Sequence, residues 1–185
     1  HIVPKASPMG RQVAGEQFIR AFISHSQTEN FLFTCPSDKE TRWISDQVAT
    51  YRPQASCSHY PLSEWQVAAQ EANSFHFPDP ALNHWSWARL PYGDGSFSLL
   101  GIVHTLSSRA IQEAIGAYLT SPIRHWDALI CTSKAARDVL GDFLERQKDW
   151  LKSKTGAKQF ELPQLPIIPL GIDAARWEPK ISKER

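Results

Sequence analysis

Residues 96–105 read SFSLLGIVHT, an apolar run rich in Leu, Ile and Val that ends in a histidine and a hydroxyl residue. Gly93, Asp94 and Gly95 supply turn chemistry before it, and Ser107 and Ser108 are suitable helix N-caps after it. The following RAIQEAIGAYL (109–119) has helical spacing. Strand, polar tip and helix form the unit that sets a side chain in the crevice outside the carboxyl end of a parallel sheet. His104 occupies that tip and is the leading candidate for a functional centre.

The flanking sequence repeats this alternation. A helix is expected from Val13, with Phe18, Ile19, Phe22 and Ile23 at helical spacing and Glu16 in the first turn. FLFTC (31–35), stopped by Pro36, reads as a buried strand. Residues 37–51 suit a helix capped by Ser37 or Asp38, 55–60 a weak strand, and 62–72 a helix capped by Ser63. A short strand over 73–77 finishes at His76, and a loop over 78–80 leads into a helix carrying Leu82, Trp85, Trp87 and Leu90. WDALICTS (126–133) repeats the pattern of apolar strand and hydroxyl cap. In the longest helix, which follows, Ala136, Val139, Leu140, Phe143, Leu144, Trp150 and Leu151 form the apolar stripe. LPIIPLG (165–171) is a last strand broken by prolines. The alternation, with strands apolar throughout, predicts a Rossmann-like three-layer α/β domain, a mostly parallel sheet covered by helices on both faces. His76, His104 and Ser133 then share one edge.

Composition narrows the classes. With 42% apolar and 21% charged residues among 185, the chain suits one globular domain with a core that needs no staples. A net charge of +1 offers no electrostatic case for nucleic acid. The three cysteines, Cys35, Cys57 and Cys131, lack metal-type spacing, and their odd number rules out complete disulfide pairing. A reducing, cytoplasmic setting is expected, with no signal peptide and no bilayer-spanning run visible.

At the predicted edge an imidazole can donate a hydrogen bond to a sugar or phosphate oxygen, or move a proton near neutral pH. The plainer alternative is a ring that caps a helix or packs under a loop. His76 and Asp79, in HFPDP, either join His104 or belong to an ordinary proline-rich loop. His84 and His125 add imidazoles, but no pair has the close helical spacing of zinc ligands, so no metal is expected. PMGRQVAG (8–15) reads as a loop before a helix. Its free N–H groups suit a phosphate, with Arg11 as the best-placed cation, or it simply connects elements. It matches neither G-x-G-x-x-G nor the P-loop. Arg146, Lys148, Lys152, Lys154 and Lys158 make either a solvated helix end or a face for an anionic membrane. Seven tryptophans are many for this length; Trp85 and Trp87 beside His84 either stack on a sugar or lipid or pack internally. No G-x-S-x-G elbow, Ser-His-Asp spacing or Cys-x-x-Cys motif is present.

ALICTSKAARDVLGDFL (128–144) and LPIIPLGIDAARWEP (165–179) together resemble the end of the N-terminal domain in GT-B glycosyltransferases of the family 4 type. In that family a strand ending in serine leads to a long helix, and a strand reading roughly I-P-x-G-[IV]-D leads into a second domain. Ser133 holds the first place here, and Ile168, Pro169, Gly171, Ile172 and Asp173 hold the second. GIVHTLSS (101–108) resembles the family's strand ending in an active-site histidine, and SFHFPDP (74–80) the strand before it. The resemblance covers most of 73–179.

It implies a retaining hexosyltransferase that uses a nucleotide-sugar donor, an acceptor that is a small molecule, glycan or lipid, and no metal or other cofactor. His104 matches the position whose imidazole contacts the transferred sugar. His76, Asp79, Thr105 and Ser133 would bind substrate, and Gly10 with Arg11 would form the donor phosphate loop, although the family's Gly-Gly pair is lacking. Residues 1–174 would be the acceptor-side domain and 175–185 the start of a linker to a C-terminal nucleotide-sugar domain. The donor-domain Arg/Lys pair and the E-x7-E motif are not in this sequence, so the chain alone is expected to be catalytically incomplete. Its partners would be donor, acceptor and that second domain, with peripheral membrane contact as an option and nucleic acid excluded. The rival reading is a stand-alone, non-catalytic α/β module that uses the same edge to bind carbohydrate or a protein partner. A nucleotide-dependent epimerase or dehydrogenase is disfavoured by the missing dinucleotide fingerprint.

Overall fold

The structure, a computed structural model, describes residues 10–171 apart from the side chain of Arg11. The expected linker at 175–185, and Ile172 and Asp173 of the resemblance, lie outside the described residues. Helix α1 (Gly10–His25) precedes β1 (Asn30–Cys35), α2 (Asp38–Tyr51) and β2 (Ser56–Pro61). Then come α3 (Trp65–Ala72), β3 (Ser74–His76), α4 (Leu82–Arg89) and β4 (Ser98–Ile102). Helix α5 (Arg109–Gly116), β5 (Ala128–Ile130) and the long α6 (Lys134–Thr155) complete the series. This is the expected Rossmann-like α/β architecture, parallel strands flanked by helices.

The strands form two small sheets where one was expected. β1 pairs with β2, and β3, β4 and β5 pair in that order, every pairing parallel. Helix α3 touches both β1 and β3, and Phe18 of α1 stacks on His76 with ring centroids 5.0 Å apart. Residues 165–171 do not form a full strand. They extend the sheet beyond β5 only through bridges at Gln164 and Ile167, because Pro163, Pro166 and Pro169 have no N–H to continue a ladder.

Hydroxyl caps start the helices where the sequence places them. Ser108 accepts from the Ile111 N–H and Ser133 from the Ala136 N–H, while Ser37 accepts from Glu40 N–H. Ser63 instead falls inside a 3-10 turn over Leu62–Glu64, and α3 has no side-chain cap. The stripe on α6 also differs from expectation. Leu140 and Leu144 are buried, with Ala136 and Phe143 against the core, whereas Val139 and Trp150 are more than half exposed. On the same helix Lys148 pairs with Glu145 and Lys152 with Asp149.

The main core runs through Phe75, Leu82, Leu99, Tyr118, Leu129 and Leu144. Trp85 belongs to it, 4.8 Å from Trp65 and 4.7 Å from Phe77 between ring centroids, so it is packing and not a free platform; Trp87 is exposed. A smaller cluster of Ile23, Phe31, Cys35, Ile44 and Val48 serves β1 and β2. No helix among the described residues is long and apolar enough to cross a membrane.

Candidate functional site

Because β3, β4 and β5 are parallel, their carboxyl ends share one rim. His76 closes β3, His104 follows the end of β4, and Ser133 follows β5 and caps α6. His76, His104 and Ser133 therefore all lie at the carboxyl-end side of the three-stranded sheet.

His104 is the centre of this rim. Its Nε2 lies 3.2 Å from Oδ2 of Asp79, and the two side chains keep 22% and 30% of their surface exposed. The loop after β3 holds Asp79 in place. Phe77 N–H donates to the Leu100 carbonyl at 2.8 Å, and Asp79 N–H donates to the Phe77 carbonyl at 2.7 Å. Asp79 Oδ1 accepts from the Ala81 N–H at 2.9 Å, and the buried Tyr118 hydroxyl donates to the Pro80 carbonyl. Desolvation pushes the Tyr118 hydroxyl well above the usual phenol range, so it remains a donor. Beneath the loop runs Gly101 of β4, where a Cβ would come within 2.7 Å of the Asp79 carbonyl oxygen.

The other expected residues contribute unequally. Thr105 shares a hydrogen bond with Ser107 between side-chain oxygens 3.0 Å apart, close in sequence to His104. Ser133 Oγ already accepts the Ala136 N–H at 3.1 Å. His76 lies against Phe18, and desolvation pushes its ring down to about 4, so it is a neutral ring near physiological pH. The expected phosphate loop is not a loop in its second half. Gly10 begins α1 and the backbone stays helical through Gly15, because no proline or left-handed residue interrupts 10–15; Arg11's side chain and residues 8–9 lie outside the described region. His125 is engaged elsewhere, 2.7 Å from Glu161. Among the described residues no group of three or more His, Cys, Asp or Glu side chains could hold a metal ion.

Two polar constellations have no counterpart in the sequence reading. At the opposite, amino end of the three-stranded sheet, Arg89 and Asp127 are fully buried and joined at 2.7 and 3.0 Å. Asp127 also accepts the N–H groups of Leu99 and Arg124, each at 2.8 Å, and Arg89 donates to the carbonyls of Phe97 and Pro122, each at 2.9 Å. Outside it, Arg124 links Asp94 and Glu161, and its hydrogen bond is the main reason the Glu161 carboxyl drops to about 2. The other constellation lies on β1, β2 and α2. Cys57 Sγ is 3.3 Å and Ser45 Oγ 2.9 Å from His59 Nε2, with Cys35 Sγ 3.8 Å from Nδ1. The thiols face different ring nitrogens and are raised by burial, which suits packing better than nucleophilic chemistry. The spacing Cys57–Ser58–His59, two same-face residues on one strand, is the signal by which sequence could have found it.

The carboxyl rim, then, carries a partly open imidazole hydrogen-bonded to a carboxylate. Such a pair can orient a ligand hydroxyl or relay a proton. Compared with protein-family models, with curated proteins and with solved structures, the chain matches none.

Proposed function

We propose that this chain forms the acceptor-side Rossmann-like half of a retaining, metal-independent GT-B glycosyltransferase of the family 4 type. One observation carries the reading: a half-open His104, tied to Asp79, stands at the carboxyl rim where open α/β sheets bind ligands. In this reading His104 contacts the transferred sugar, and Thr105 and Ser133 line the rim beside it. A second domain supplies the cations that stabilise the departing nucleotide. His76 acts behind the rim, as a neutral ring that supports it. The unpaired thiols of Cys35, Cys57 and Cys131 suit a reducing compartment, and the reading places the protein in the cytoplasm.

The test is a panel of nucleotide sugars offered to the complete protein, with and without sugar and lipid acceptors, scored by nucleotide release. Release with at least one donor is expected, and His104→Ala should reduce kcat about a hundredfold or more. Unchanged turnover in His104→Ala would remove the imidazole from the mechanism. Sugar binding without nucleotide release from any donor would favour the non-catalytic module instead.

A further inference from the structure

The contact between His104 and Asp79 has a direction. A carboxylate can only accept, so the proton between Nε2 and Oδ2 belongs to the imidazole. Asp79 cannot turn away easily, because its other oxygen holds the Ala81 N–H and its backbone is bound to Phe77. In a neutral imidazole one nitrogen carries the hydrogen and the other a lone pair. Nδ1 of His104 has no hydrogen-bond partner among the described residues.

We propose that Asp79 is a positioning residue: it pins neutral His104 as the Nε2–H tautomer and leaves the Nδ1 lone pair to accept a hydrogen bond from a ligand hydroxyl. Such a ring selects a hydrogen donor, as in a sugar or another polyol, over a phosphate oxygen, which offers only lone pairs. The tautomer follows from the geometry alone, while its use on a sugar hydroxyl rests on the transferase reading.

Long-range proton–nitrogen NMR spectra of the nitrogen-labelled chain, recorded at a pH where imidazoles are neutral, test the tautomer directly. His104→Ala identifies the signals. In the wild type Nε2 should resonate as a protonated nitrogen and Nδ1 as an unprotonated one. Asp79→Asn keeps an oxygen for the Ala81 N–H but turns an N–H2 towards Nε2, so the two nitrogens should exchange character. Asp79→Ser retains a capping oxygen too short to reach the ring, and should give the averaged shifts of free histidine. It serves equally if the asparagine variant does not fold.

A wild-type ring protonated on Nδ1, or the same tautomer in all three proteins, would overturn the assignment. Because these spectra need neither donor nor acceptor, their outcome is separate from that of the nucleotide-release assay. A clear tautomer switch without any nucleotide release would leave Asp79 in its role and defeat only the transferase reading.

Discussion

At the amino end of β3, β4 and β5, Arg89 and Asp127 are wholly buried and the carboxylate accepts hydrogen bonds at both oxygens from three different residues. At the carboxyl end of the same strands, His104 and Asp79 meet through one contact at 3.2 Å and stay partly open to solvent. Both are hydrogen-bonded couples of a nitrogen base and a carboxylate placed by the same sheet. The first ties the end of α4, the start of β4 and the approach to β5 into one unit, and both Asp127 oxygens are occupied. The second is a single contact and leaves Nδ1 without a partner among the described residues. At the first end both carboxylate oxygens are engaged, although Arg89 Nε is buried without a partner; at the second a ring nitrogen has no partner among the described residues.

This contrast can be broken first at Arg89. Arg89→Leu leaves Asp127 as a buried, unpaired carboxylate and should lower stability by about 3–5 kcal/mol in denaturant titrations. A loss below about 1 kcal/mol would mean that the buried network is not what holds this end together.

A smaller effect is expected at His76, just behind the open rim. Its folded-state value of about 4 lies below the ordinary 6.5. Between these two pH values the unfolded chain takes up a proton that the folded chain refuses. Stability present above pH 6.5 should therefore fall on acidification towards pH 4, by an amount on the order of 2–3 kcal/mol. His76→Phe should remove that part of the slope while keeping the stack on Phe18. Parallel urea-midpoint profiles for the two proteins would show that the ring is not desolvated in solution.

The smallest change belongs to the pair itself. His104→Ala should cost no more than about 1 kcal/mol, the range of solvent-facing polar contacts. A stability loss as large as that of Arg89→Leu would erase the difference between the two ends.

Much of the rim was legible in the sequence, because the signals are local. An apolar run ending in His104, and serines at 108 and 133 before helical spacing, are read within a few residues. The pairing of His104 with Asp79 was anticipated only as shared membership of a site, since 25 residues separate them. The Arg89–Asp127 pair, 38 residues apart, has no local signature at all. On α6 the difference between expected and observed burial is one of phase. Leu140 and Leu144 fix the buried line, and Val139 lies one position off it despite being as apolar. The division into two sheets is not legible in the sequence, because periodicity identifies strands without saying which edges meet. At 8–15 the glycines suggested a loop, yet Gly10 and Gly15 both sit in α1 with nothing within 4 Å of a Cβ at either position.

Gly101 gives the rim an unusual dependence on the interior. The carbonyl of Asp79 and the side chain of Leu82 rest directly on that glycine. Even an alanine would act as a wedge, lifting the acid away from the imidazole it orients without touching either group's chemistry. The spacing of the pair is thus set from below, by a hydrogen atom where every other residue type would carry carbon.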